Sequence, residues 1–452
     1  MQSALRLPVT GKRTSLLIPF LIIFLLLTLP NLSMNNISTG QPGISNEPTI
    51  SDPNLEIQLV FKGLQNPSSM AFLGPDDILV LEKNDGTVRR IVNGVMLPEP
   101  VLDVDVANLV ERGMLGIDVA RNQNYVFLYY TESQSDGNDA KQGAAPLGNR
   151  LYRYEFVNGK LTNPKLLLDI DASRGASHNG GKVLIGPDNN IYLVVGDLAG
   201  HKTFTQNYRN SSQLSETSVI FRLTQGGESA GDLLSTEEPA NKFYAYGIRN
   251  SFGMDFDPVT GKLWDTENGP TYGDEINLVE PGFNSGWGLV SGISNPLGEL
   301  NLDENLIKCL YCINPTGFID IWIRKYIFGI QEGKYSEPEF TWMNVVGPTA
   351  LKFLNSDKLG KQYENDMFVA DIIWGSIYHF ELNENRDAIA LNGSLSDKVA
   401  NSRDELDSII FAQGFRGITD IDVGPDGYLY FLTYYVDPAI YRIVPKGTPL
   451  PH

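Results

Sequence analysis

Residues 184–194 read LIGPDNNIYLV, and the phrase returns as FLGPDDILVL over 72–81 and as DVGPDGYLYF over 422–431. A looser copy, DFDPVTGKLW, covers 255–264. In each, a short apolar strand meets a turn that combines proline with Asp, Asn or Gly, and an alternating strand follows. Proline presets the backbone of a turn's first corner, and Asp, Asn or Gly suits the next. Other runs pair without the phrase: YVFLYYT (125–131) with RLYRYEF (150–156), and MFVADI (367–372) with SIYHFEL (376–382). From residue 55 onward the apolar residues alternate, and long amphipathic helices are scarce. Units of this kind bury their faces only against one another. The expected fold is therefore all-β, a six-bladed β-propeller of four-stranded antiparallel blades over 55–446, with about 65 residues per blade. Seven or eight shorter blades, or a pair of β-sandwiches, are the competing architectures. The segment 293–338 fits no strand repeat and is expected to be an insertion between blades.

The N-terminus is a separate matter. Arg6, Lys12 and Arg13 precede LLIPFLIIFLLLTL (16–29), so residues 1–30 read as a signal peptide or an N-terminal membrane anchor. Residues 31–54, rich in Ser, Asn and Pro, read as a flexible linker. The chain is then extracytoplasmic, secreted or tethered to the outer face of the membrane. Its formal net charge is −19, and losing that leader, with three basic groups and no acidic one, takes it to −22. Such a surface repels nucleic acid and anionic lipid, which leaves the N-terminal segment as the expected membrane contact. The two cysteines, Cys309 and Cys312, form one C-x-x-C, half of a zinc ribbon, for which a local disulfide or idle thiols are the simpler readings.

In a propeller, loops at one end of the channel converge, so residues far apart in sequence can build one site. SHNGG (177–181) presents His178 beside glycines that are expected to clear space around it. ERGMLGIDV (111–119) offers Glu111, and YGIRNSFGMDF (246–256) offers Arg249 and Asn250, a fork of donors and an amide suited to a polar ligand. TENGPTYGDEINL (266–278) sets the carbonyls of Gly269 and Pro270 near Asp274 and Glu275, a donor set suited to a hard cation such as Ca²⁺. Singly, each segment also reads as an ordinary turn.

Their order is more telling. ERG-x-LG, S-HNGG with a GPD phrase and GD, G-x-RN, then E-x-GP-x-x-GDEINL and GW resembles the glucose/sorbosone dehydrogenase family from about Leu64 to Pro445. That resemblance implies a six-bladed propeller that oxidises aldoses with pyrroloquinoline quinone (PQQ) and Ca²⁺. It makes His178 the base for the sugar's anomeric hydroxyl and Asp197 the residue that orients it. Arg249, Asn250 and Glu111 then contact the cofactor, and Gly269 and Pro270 hold the metal through their carbonyls. The chain also departs from the family pattern. Ile373 stands where the family has a lysine, and Gly417 and Thr419 stand where it has arginines. Trp374, able to stack on a flat ring, and Arg416, one position off, are the substitutes expected to touch the cofactor. The expected partners are a small-molecule aldose and an electron acceptor that no motif specifies. A non-redox propeller binding a sugar or a protein is the alternative that the missing cations favour, and a Ca²⁺-dependent hydrolase is a third reading.

Overall fold

The computed structural model describes residues 47–120, 124–134, 144–200, 202–208, 214–293 and 333–450. The leader, most of 293–338 and both cysteines lie outside them. The described chain forms six sheets, with helix confined to short 3₁₀ turns. Blade 1 is Pro67–Gly74, Asp77–Glu82 and Thr87–Val92, edged by Val95–Met96 and Leu102–Asp103. Blade 2 runs through Met114–Ala120, Tyr125–Ser133, Pro146–Val157 and Lys160–Ile170. Blade 3 is Val183–Ile185, Ile191–Val195, Val219–Leu223 and Phe243–Tyr246, and blade 4 is Ser251–Phe256, Leu263–Glu267, Asp274–Val279 and Phe340–Trp342. Blade 5 is Pro348–Phe353, Met367–Asp371, Ile377–Phe380 and Ile410–Gln413. Blade 6 combines Ile418–Val423, Leu429–Thr433 and Ala439–Pro445 with Leu55–Lys62 from the other end of the chain, so one sheet closes the ring.

The four-stranded antiparallel plan is extended at several edges. Phe283–Asn284 and Lys334–Tyr335 add in parallel to blade 3, and Val399–Ala400 adds in parallel to blade 4. The end of the 293–338 segment is thus blade edge rather than free insertion. Thr49–Ile50 pairs with Gln413 and Ala412 of blade 5, which corrects the reading of 31–54 as linker throughout. Its last residues gain two backbone partners on an otherwise bare edge.

Each copy of the recurring phrase is the hairpin between a blade's first two strands. Asp76, Asn189, Gly261 and Gly427 take the left-handed position in the four turns, which explains the Asp/Asn/Gly requirement. In blades 3 and 6 the phrase's aspartate also gathers a tyrosine and an arginine from the next two strands: Asp188 with Tyr192 and Arg222, Asp426 with Tyr430 and Arg442. The apolar residues sort into six clusters, each lying between two neighbouring blades, among them Phe127, Tyr129, Leu193 and Phe221 between blades 2 and 3. Burial is shared around a ring and no single centre dominates.

The first strands line the channel, each packed on the next except that Ser251–Phe256 of blade 4 meets the second strand of blade 3, Ile191–Val195. Their starts lie side by side. Ser68 Oγ donates to Met114 O, Thr349 Oγ1 to Ile418 O, and Thr419 Oγ1 to Pro67 O. Deeper in, Lys182 of blade 3 reaches across to Asp420 of blade 6 at 2.7 Å. Beyond it Lys352 lies 3.5 Å from Asp255 and 3.1 Å from Asp422. The channel core is closed by charge pairs, and the loops at the strand starts form its mouth.

Candidate active site

The loop that leads into blade 3 places His178 at the mouth. His178 has φ 61°, a left-handed backbone that a side-chain-bearing residue holds only when its surroundings impose it, at a cost of order 1–3 kcal/mol. Glu111 supplies that restraint: its Oε2 accepts the N–H of His178 at 2.5 Å and that of Asn179 at 3.3 Å. Arg112 donates to the carbonyls of Ala172 and Gly175 in the same loop. Beneath the Glu111 turn, the buried amine of Lys83 donates to Val110 O and Arg112 O. Burial pushes that amine down to about 8, against the pull of Glu111. The glycines serve close backbone packing rather than an open space. A Cβ on Gly180 would meet Val194 O at 2.7 Å, and one on Gly181 would meet Leu115 Cβ at 2.7 Å.

His178 Nδ1 lies 2.5 Å from Oδ1 of the fully buried Asp197, which leaves Nε2 as the free ring nitrogen among the described residues. Asp197 Oδ2 accepts the indole N–H of Trp287 at 2.7 Å, and the Arg249 guanidinium sits 5.2 Å over that indole. Trp287 thus links the group that orients the histidine to the arginine beside it. Trp287→Phe keeps the ring and removes the N–H. It is expected to leave the fold intact while loosening Asp197, so that the nitrogen shifts of His178 move from a single Nδ1–H form toward a tautomer mixture in ¹⁵N NMR. An unchanged spectrum would show that the indole bond orients nothing.

Arg249 donates from its backbone to Glu267 Oε1 and from Nη1 to Asn268 O at 2.7 Å, while Asn250 donates to Glu111 at 3.4 Å. Burial lowers the Arg249 guanidinium, opposed by Asp197, Glu267 and Glu111. Arg249 Nε and Asn250 Oδ1 are buried with no hydrogen-bond partner. Such orphaned groups cost about 1–3 kcal/mol each unless a ligand meets them.

The Gly269–Gly273 loop is shaped by the two acids expected to bind metal. Asp274 Oδ1 accepts Gly269 N–H, and Oδ2 accepts the N–H groups of Val346 and Gly347. Glu275 accepts Gly292 N–H on one oxygen and the Asn277 amide on the other. All four of their oxygens accept hydrogen bonds from the protein, so the two acids shape the loop around the Gly269 and Pro270 carbonyls. The carbonyls of Gly269 and Pro270 receive no hydrogen bond from the described residues. Among the described residues no cluster of three acidic, cysteine or histidine side chains has metal-binding geometry.

On the neighbouring strand, burial pushes Asp265 up to about 7. A carboxyl that holds its proton more tightly in the folded chain stabilises the fold below its ordinary value of 3.8, and that stability is lost as pH rises through about 7. Asp265→Asn is expected to flatten the fall in Tm between about pH 5 and 8 and to add about 1–3 kcal/mol at pH 8. A variant less stable than the parent at pH 8 would contradict this.

Trp374 and Arg416 lie at the blade 5–6 side of the mouth. Trp374 is stacked by Arg403, whose guanidinium sits 4.2 Å over its ring, and Arg416 is exposed. Trp287, Arg403 and Lys83 were not singled out from the sequence. The GW after GFNS marks Trp287, whereas nothing local in NSRDEL distinguishes Arg403.

The glucose/sorbosone dehydrogenase family model matches residues 64–315. The chain is 25% identical over 403 residues to the aldose sugar dehydrogenase of Escherichia coli (strain K12), covering 87% of this chain and 94% of that protein. It is 28% identical over 381 residues to quinoprotein glucose dehydrogenase B of Acinetobacter calcoaceticus, covering 73% and 78%. Among solved structures, the apo-form soluble aldose sugar dehydrogenase of Escherichia coli shares the fold with a TM-score of 0.64 at 22% identity, over 87% of this chain and 100% of that one. The PQQ-bound aldose sugar dehydrogenase of Streptomyces coelicolor does so with a TM-score of 0.58 at 20% identity, over 88% and 99%. With the match spanning more than half its length, the chain belongs to the glucose/sorbosone dehydrogenase family.

Proposed function

We propose that this protein is an exported, PQQ- and Ca²⁺-dependent aldose dehydrogenase, with His178 as the base. The observation that carries the reading is the pairing of an oriented histidine with the buried, unpartnered Arg249 Nε and Asn250 Oδ1 beside it. An N–H donor and a carbonyl acceptor left bare at a channel mouth fit a flat polar molecule that offers both carboxylates and an N–H. PQQ is such a molecule, and the relatives described as quinoprotein or PQQ-bound support the assignment. Arg249 and Asn250 would hold it, and the carbonyls of Gly269 and Pro270 would hold Ca²⁺.

Oxidising an aldose to its lactone removes a proton from the anomeric hydroxyl and a hydride equivalent from the same carbon. Bound PQQ would supply the acceptor for that hydride equivalent, and Ca²⁺ the Lewis acid that polarises it. His178 Nε2 takes the hydroxyl proton. Asp197 on Nδ1 holds the required tautomer and stabilises the imidazolium that forms. Glu111 keeps the histidine in its left-handed backbone, so the ring is aimed before substrate arrives.

The test is aldose-dependent reduction of an artificial electron acceptor by the purified protein. Turnover requiring both PQQ and Ca²⁺ is expected. Glycan or protein binding indifferent to PQQ, with no turnover of any aldose, would instead establish the non-redox reading favoured by Ile373, Gly417 and Thr419.

A further inference from the structure

We propose that Arg403, with Arg416, supplies from a different loop the positive charge that positions 373, 417 and 419 lack, and that these two receive a PQQ carboxylate above Trp374. The inference rests on the proposed cofactor.

The residues now at these positions supply no cation, and at Gly417 the surroundings leave no room for one. Gly417 has φ 69°, and a Cβ there would meet the Tyr435 ring at 2.7 Å, so Tyr435 fills the space an arginine would need. The Thr419 hydroxyl is committed to Pro67 O, and the Ile373 side chain is apolar and 53% exposed.

The turn beside Ile373 is instead built as a platform. Buried Asp371 accepts the N–H of Trp374 at 2.5 Å and of Gly375 at 2.9 Å on one oxygen. Its other oxygen accepts the N–H of Ser376 and the hydroxyl of Tyr378. That carboxylate fixes the turn and leaves the Trp374 indole 36% exposed at the rim. Arg403 arrives from the segment between Val399–Ala400 and Ile410–Gln413 and lies 4.2 Å over the indole. Phe415 N–H donates to Gly375 O, which brings Arg416 alongside the same turn.

Both guanidinium groups are exposed, and among the described residues neither has a carboxylate partner. That is notable in a chain with 54 acidic and 35 basic residues, where a surface arginine readily finds an acid. Stacking occupies the face of a guanidinium and leaves its in-plane N–H fork free for bidentate contact with a carboxylate. An indole with one such fork stacked on it, and a second exposed arginine in the adjoining loop, complements a flat, aromatic polycarboxylate. Neither an uncharged sugar nor the protein's own acidic surface calls for that combination.

The test is titration of the full chain with PQQ in the presence of Ca²⁺, followed by absorbance and tryptophan fluorescence, with no turnover required. Arg403→Ala is expected to weaken PQQ by about ten-fold or more, the size of one charge-assisted contact, and Arg403→Lys by less. Trp374→Leu, which removes the surface that orients the fork, is expected to weaken it as well. Melting without PQQ should be unchanged, since Arg403 is exposed. Arg403→Ala and Arg403→Ala/Arg416→Ala variants that bind PQQ as the parent does would overturn the proposal while leaving the cofactor reading intact. A parent protein that does not bind PQQ at all would overturn both.

Discussion

His178→Gln is expected to lower kcat for aldose oxidation by about 10²–10⁴-fold with little change in Tm. Glutamine can still donate to Asp197, so the buried carboxylate keeps a partner and the loop keeps its shape, but the side chain no longer takes a proton. The loss should persist across pH, because no titrating group replaces the imidazole. Asp197→Asn is the companion change. It removes the charge that stabilises the imidazolium and offers an N–H where Nδ1 now faces an acceptor, so the histidine should turn to the wrong tautomer. Steady-state rates against pH check both. A His178→Gln enzyme within ten-fold of the parent would remove His178 from the chemistry.

The second large effect concerns the channel rather than the mouth. Lys352 lies half-buried among Asp255, Asp422 and Asp118. Burial works against its charge, yet the surrounding carboxylates raise its pKa overall. Lys352→Met removes the cation that bridges Asp255 and Asp422 and leaves the acids facing one another, which should cost about 3–5 kcal/mol at neutral pH. The penalty should shrink on acidification. Burial already pushes Asp118 up to about 6 and raises Asp255, and loss of the amine moves both further the same way. Protonated acids carry no repulsion, so stability returns as pH falls from about 7 toward 5. Denaturant unfolding at several pH values measures this. A loss below about 1 kcal/mol, or one indifferent to pH, would show that Lys352 is not the counter-charge of the channel.

The ring was legible because its signal is local and repeated. The left-handed turn position in the four phrase copies leaves Asp, Asn or Gly at Asp76, Asn189, Gly261 and Gly427. The added edge strands were not legible, since Thr49–Ile50 and Val399–Ala400 are two-residue pairings with no alternation to detect. The site divided in the same way. His178 and Asp197 flank one hairpin, so their relation is carried within 20 residues of sequence. The roles of Asp274 and Glu275 depend on N–H groups of Gly292, Val346 and Gly347, and sequence shows no sign of such distant partners. Arg403 reaches Trp374 by a fold of the chain around blade 5, which residue types alone do not encode.

PQQ is expected to bind at this mouth despite an isoleucine, a glycine and a threonine where the family carries cations. Titration of the purified protein with PQQ, with and without Ca²⁺, tests it most directly. A saturable change in PQQ absorbance and a rise in Tm, both requiring Ca²⁺, are expected. No change in either at millimolar PQQ, with Ca²⁺ present, would contradict it.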